Sequence, residues 1–189
     1  MRHLFVLCVL NALLVVSPGA YADSTLWELL QRGGQVVLIR HAVTDPGVGD
    51  PPSFRLDDCR TQRNLSDAGR IEAQLLGASF REHRIPIARV LSSPWCRCLE
   101  TARIAFGIDA QTDAALGNLF GRGDNSEPQL AAFRRLVATA PKSGNLILVT
   151  HGSTTAAFTG INPGTAEMVV VTPGGGGNYK VAGRIPIAR

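Results

Sequence analysis

Two rhythms of apolar positions alternate along this chain. Short unbroken apolar runs occur at Val36–Ile39 and Leu146–Val149, and short apolar stretches interrupted by polar residues or Pro at Ile85–Leu91, Glu167–Thr172 and Tyr179–Ile185. They are too short for buried helices and are bounded by turn residues, so they predict strands, the first led in by Gly33-Gly34. Between them the spacing is helical. Leu26, Trp27, Leu29 and Leu30 predict a lead-in helix. Ser66 is placed to cap a second helix whose Ala68, Ile71, Leu75 and Ala78 form the expected core face. A third helix follows Ser92-Ser93-Pro94-Trp95, and Ser126 with Gln129 has the form of a capping box. Asp45–Arg63 is a long loop rich in Pro, Gly and Asp, a length that usually signals function. Pro173 and four glycines join the last two strands as a hairpin.

Strands alternating with helices predict an α/β domain. The expected architecture is doubly wound, three layers α/β/α around a mostly parallel central sheet, in which the carboxyl ends of the strands gather along one edge. The 189 residues, 45% hydrophobic and 18% charged, suit one globular domain and exclude extensive disorder. The formal charge of +4 is spread without a basic block, which argues against a nucleic-acid partner and slightly favours small anionic ones. Arg84–Arg89 recurs as Arg184–Arg189, but nothing around the copies repeats, so a repeat architecture is excluded.

The first residues predict a targeting segment. Arg2 and His3 precede an apolar run from Leu4 to Val16, Ser17-Pro18-Gly19 breaks it, and Ala20-Tyr21-Ala22 has the small-x-small form of a cleavage site. The run is well short of the ~20 residues that span a bilayer. The expected organisation is a cleaved signal over residues 1–22 and a single domain over 23–189, periplasmic or secreted, without stable membrane insertion. Cleavage leaves Cys59, Cys96 and Cys98 in an oxidising compartment. Cys96 and Cys98 are too close in sequence to favour each other, so Cys59 is expected to bridge to one of them. The spacing does not favour a metal site.

Chemistry concentrates at three strand ends. Arg40 and His41 end the first buried strand, Arg97 follows the second, and His151 ends the third. In a doubly wound sheet these would converge on one anion. Neutral imidazole is a nucleophile near pH 7, and guanidinium grips phosphate oxygens in pairs.

The sequence resembles the histidine phosphatase superfamily with its phosphoglycerate-mutase-like fold. The matching pieces are Leu38-Ile39-Arg40-His41 with Thr44, Leu65-Ser66 with Gly69, Ser92-Ser93-Pro94 with Arg97 and Thr101-Ala102, and Val149-Thr150-His151-Gly152. Asp58-Cys59, Gln62–Ser66 and Pro94–Cys98 are similar to the secreted short members that include lipopolysaccharide core heptose-phosphate phosphatases. The resemblance implies that His41 carries a phosphohistidine, that Arg40, Arg97 and His151 bind the transferring phosphoryl group, and that no metal or cofactor takes part.

Two departures from the family pattern stand out. Ala42 replaces the usual Gly after the first His, and Asn118 stands where many members carry a general-acid Glu. Asp124 and Glu127 are the nearest replacement acids, although turn and helix-dipole roles account for both equally well. Arg55, Arg60 and Arg63 in one loop and Arg122 in another suggest a rim for a hydroxylated anionic substrate, and with secretion this points to a sugar phosphate of the cell envelope. A protein phosphohistidine phosphatase, whose leaving imidazole tolerates a missing acid, and a non-catalytic phosphate-binding protein are the alternatives.

Overall fold

The computed structural model describes residues 18–47, 49–121 and 126–187. The apolar segment Leu4–Val16 and the residues Arg122 and Asp124 lie outside the described residues. Helix α1 (Pro18–Arg32) leads into strand β1 (Val36–Arg40), and helix α2 (Asp67–Glu82) leads into β2 (Ile87–Ser92). Helix α3 (Cys96–Phe106) and the short β3 (Gln111–Thr112) follow, then helix α4 (Glu127–Val137) and β4 (Asn145–Thr150). Helix α5 (Gly152–Thr159) precedes the hairpin β5 (Met168–Gly175) and β6 (Asn178–Ile185).

The six strands form one sheet in the order β3-β2-β4-β1-β5-β6. β3, β2, β4 and β1 run parallel, while β5 and β6 add an antiparallel edge. Alternate side chains of each central strand feed two separate cores. Val37 and Ile39 of β1 join Leu30, Phe80, Ala102 and Ile147 beneath α1, α2 and α3. Val36 and Leu38 join Phe133, Val137, Leu148 and Phe158 beneath α4 and α5. A strand buried on both faces must be apolar at every position, which is why β1 and β4 read as continuous runs. The expected α/β/α architecture is the one observed.

The second helix is correctly placed, but its buried face is not the expected one. Ala68, Ile71, Leu75 and Ala78 face solvent, with Ile71 58% and Leu75 39% exposed. The buried face is Gly69, Glu72, Ala73, Leu76, Gly77 and Phe80. Small residues explain the choice. A Cβ on Gly69 would lie 1.9 Å from the Val43 carbonyl oxygen, and one on Gly77 would lie 2.2 Å from that of Ala105. The helix therefore packs against the chain after β1 and against α3 at a distance only glycine permits. Glu72 is buried because its carboxylate accepts from Val43 N and Thr165 Oγ1.

Other boundaries shift locally. β2 starts at Ile87 rather than Ile85, since the Ile85 amide donates back to the Phe80 carbonyl at the end of α2 and Pro86 has no amide to give. Ser66 caps α2 as expected, accepting from Gly69 N at 3.1 Å. The Ser126–Gln129 box does not form: Ser126 makes no side-chain cap bond, and Gln129 Nε2 donates to the Ala115 and Gly117 carbonyls. The repeated hexapeptide has two unlike structures over its described residues, Ala188 and Arg189 lying outside them. Arg84 takes a left-handed φ of 53° before β2, whereas Arg184-Ile185 ends β6 and pairs with Glu167.

Candidate active site

The register of β1 and β4 places the two histidines. Arg40 lies opposite Thr150 in the parallel ladder, so His41 and His151 leave the sheet side by side. Their ring centroids are 5.4 Å apart. The His41 amide donates to the Thr150 carbonyl, which keeps the two strand ends together. Beyond His41, Ala42 N donates to Thr101 Oγ1 and Val43 N to Glu72, so the turn is pinned to α3 and α2.

Both rings are neutral. His41 Nδ1 donates to its neighbour's carbonyl, Ala42 O, at 2.8 Å, which leaves Nε2 as a lone pair. Burial brings its pKa down to about 3, with the charges of Arg97, Arg40 and Arg63 adding to the shift. Burial likewise holds His151 well below 6.5, followed by His41 and the same three arginines. Arg97 Nη2 lies 3.4 Å from His151 Nδ1 and Ser93 Oγ lies 2.8 Å from Nε2, so Nδ1 accepts and Nε2–H donates.

Three guanidiniums close in on this pair. Arg40, His41, Arg63, Arg97, Asn118 and His151 line one cleft of about 480 Å³, together with the first residues of α5, Gly152 and Ser153. Arg40 Nη1 donates to Pro163 O and Arg63 Nη1 to Gly47 O. The Nε atoms of Arg40, Arg63 and Arg97 are buried without a hydrogen-bond partner. Buried N–H groups without acceptors are rare and costly, and three of them on cations around one cleft are the signature of a site made for an oxyanion. The N-terminal end of α5 adds backbone dipole of the same sign.

Arg97 is only 1% exposed, and its charge is balanced from behind by Asp50. Arg97 Nη1 and Nη2 donate to Asp50 Oδ1 and Oδ2 at 2.7 and 3.2 Å. Arg63 N and Trp95 Nε1 complete the carboxylate's shell. Burial alone would raise Asp50, but the bonds and charge of Arg97, with the Arg63 amide and the Trp95 indole, hold it below the usual carboxylate value. Asp50 is thus ionised, and it is not among the residues that line the cleft.

The loop carrying Asp50 and Arg63 is stapled to α3 by a disulfide between Cys59 and Cys96. Gln62 reinforces it by accepting from Cys96 N, the uncapped start of that helix. Among the described residues Cys98 is the free thiol, buried beside His151 and the Thr150 carbonyl, and burial pushes it up to about 12.

The structure therefore brings together Arg40, His41, Arg97 and His151, and adds Arg63. It does not bring Arg55 or Arg60 to the cleft. Each forms an exposed pair with a neighbour, Arg55 with Asp57 and Arg60 with Asp58, because an aspartate two residues away outcompetes a distant ligand. Glu127 is also outside the cleft, its side chain 73% exposed and 3.8 Å from Arg134. Asn118 lines the cleft, and its Oδ1 accepts from Ser153 Oγ and Phe120 N, so its amide N–H₂ is the group left to face a ligand. Sequence reasoning passed over Asp50 and placed Arg63 only among rim arginines; loop residues carry no periodicity from which a direction could be read.

The model of a family described as the histidine phosphatase superfamily (branch 1) matches residues 36–122. No curated protein matches the chain in sequence. Solved structures share the fold. The protein histidine phosphatase SixA complexed with tungstate is 19% identical, with a TM-score of 0.56 over 80% of this chain and 96% of that one. A phosphoserine phosphatase from Entamoeba histolytica is 13% identical, with a TM-score of 0.55 over 79% and 95%. A mycobacterial glucosyl-3-phosphoglycerate phosphatase is 18% identical, with a TM-score of 0.50 over 78% and 96%.

Proposed function

We propose, on the premise that this chain belongs to the histidine phosphatase superfamily and is a phosphatase, that it hydrolyses phosphomonoesters through a phosphohistidine on His41. The observation that carries this reading is the neutral His41, its Nδ1 proton held by Ala42 O, lying beside His151 among three guanidiniums with unpartnered Nε–H groups. His41 Nε2 attacks phosphorus, the N–P bond forms, and the ester P–O bond breaks with its electrons on the leaving oxygen. Water then attacks phosphorus, the N–P bond breaks with its electrons returning to Nε2, the proton that the water gives up makes good the one the leaving oxygen takes from solvent, and phosphate leaves. Arg40, Arg97 and His151 surround the phosphoryl oxygens and offset their charge as it spreads. An incoming dianion raises the pKa of His151, against the lowering that burial and the three arginines impose.

The substrate reading extends to a phosphorylated sugar of the cell envelope. What supports it is a second pocket of about 320 Å³ that shares Gly49, Asn118 and Phe120 with the cleft. Its other walls include Pro51, Pro52, Phe54 and Trp95, and its one charged residue, Asp50, is already paired. Such walls suit an uncharged ring with hydroxyl groups. Asn118 favours a second reading: it can donate a hydrogen bond to a leaving oxygen or nitrogen but cannot protonate an alkoxide. A phosphohistidine protein, whose imidazole leaves readily, fits that site as well.

A phosphate-release screen over hexose and heptose phosphates, nucleotides and phosphohistidine peptides tests these readings together. Preference for the sugar phosphates supports the first and preference for the peptides the second. Label trapped from a ³²P-ester should be acid-labile and absent in His41→Ala. Full hydrolysis by His41→Ala would remove the mechanism.

A further inference from the structure

We infer that Asp50 is a positioning residue of the reaction: it holds the Arg97 guanidinium in the orientation in which the transferring phosphoryl group meets it. The inference rests on the phosphatase reading above. Asp50 lies in the long loop after β1, yet its side chain is only 5% exposed, and donors from the start of α3 and from the far end of its own loop converge on it. Oδ1 takes Arg97 Nη1 at 2.7 Å and Arg63 N at 3.1 Å, and Oδ2 takes Arg97 Nη2 at 3.2 Å and Trp95 Nε1 at 3.0 Å.

A guanidinium bound along its Nη1–Nη2 edge can neither rotate about its long axis nor slide, so the direction of the remaining Nε–H is fixed. That Nε–H is buried and unpartnered, and Arg97 lines the cleft whereas Asp50 does not. The carboxylate therefore backs the arginine. Nη2 also reaches His151 Nδ1 at 3.4 Å, so one carboxylate sets two of the groups around the cleft.

Charge gives the same answer. Arg63 and Arg97 repel each other, and Asp50 stabilises both charges. Without ligand, the carboxylate keeps two cations close enough to serve one anion. Asp50 is ionised and enclosed by donors, so it neither attacks nor gives up a proton. Its contribution is made through Arg97, and it should be larger for the transition state than for bound phosphate, because only the former needs oxygens met at fixed angles.

The test compares the mature protein with Asp50→Asn and Asp50→Glu. Para-nitrophenyl phosphate is the substrate, and orthophosphate and orthovanadate serve as ground-state and transition-state-like competitive inhibitors. Asp50→Asn keeps an acceptor for Arg97 Nη1 and the Arg63 amide. It should lower kcat and vanadate affinity by about 100-fold while the orthophosphate Ki moves less than about 3-fold. Asp50→Glu keeps the charge one methylene out of place, so it should restore the thermal midpoint but not kcat. Wild-type kcat in Asp50→Asn would overturn the inference. So would phosphate and vanadate affinities falling by the same factor, which marks a loop anchor only. A wild-type protein that neither turns over any phosphoester nor binds orthophosphate would overturn the phosphatase reading itself, and this inference with it.

Discussion

His41 resists protonation down to a pKa of about 3 in the folded chain, against an ordinary 6.5 in the unfolded one. Between those values the unfolded state binds a proton that the native state refuses. Stability from this residue is thus complete above pH 6.5 and is lost as the pH falls towards 3. His151, lowered for the same reasons, adds in the same direction. Denaturant midpoints at pH 7, 5.5 and 4.5 should fall steadily in the wild type and less steeply in His41→Gln; an unchanged slope would contradict the assignment. Gly152 has a different role, since a Cβ there would lie 3.3 Å from Arg40 Cδ and Nε and from Asn162 Oδ1. Gly152→Ala should push Arg40 aside, reducing kcat about 10-fold with little change in thermal midpoint. Arg40, His41 and His151 were legible in the sequence because an Arg-His pair or a His ending a buried strand has a defined place in a parallel sheet, and Arg97 because it follows the turn that ends the second strand. Arg63 and Asp50 were not, because their positions follow from a loop path that only the disulfide and the Arg97 contact determine.

At the level of elements, α2 shows what apolar periodicity leaves out. The period was right and the phase was wrong, because the buried face mixes Leu76 and Phe80 with Gly69, Ala73, Gly77 and the carboxylate of Glu72, which blurs its apolar signal against Ile71 and Leu75. Close approach of backbones at Gly69 and Gly77 sets the phase, and Ile71 and Leu75 are left in solvent. Gly69→Ala and Gly77→Ala should each destabilise by about 2–3 kcal/mol through overpacking against a carbonyl, whereas Ile71→Ser and Leu75→Ser should stay within about 0.5 kcal/mol. Equal losses at all four positions in urea melts would argue against the packing described here. The staple from Cys59 to Cys96 closes a loop with a sequence separation of 37, for which the chain-entropy model gives about 3–4 kcal/mol. It also fixes the segment from which Arg63 reaches the cleft. Reduction should therefore lower kcat for para-nitrophenyl phosphate before the fold is lost, with activity falling at temperatures where the far-ultraviolet spectrum is still native. Activity surviving until the fold melts would separate the disulfide from the site.

Across the whole molecule, the sheet order carries most of the function. Because β1 and β4 are neighbours while α2, β2 and α3 intervene in sequence, residues more than a hundred positions apart end at one edge, and strand order of this kind follows from general rules of parallel sheets. A signal cleaved after Ala22 would cut within α1, whose span is Pro18–Arg32. Among the side chains described, the core contacts of α1 come later in the helix. Leu30 is fully buried, Leu26 nearly so against Gly183, and Trp27 stacks on His83 with ring centroids 3.9 Å apart. The Leu30 carbonyl also accepts from Asn145 Nδ2 at the start of β4. A chain beginning at Asp23 should match the full-length protein in thermal midpoint and turnover. One beginning at Gly33 loses two buried leucines worth about 1.5–3 kcal/mol each and exposes the face of β6 beneath them, so it should melt far lower or aggregate. N-terminal sequencing of exported protein should begin near Asp23. A start beyond Leu26, or a Gly33 chain as stable as the whole, would mean that α1 is part of the targeting segment rather than of the fold.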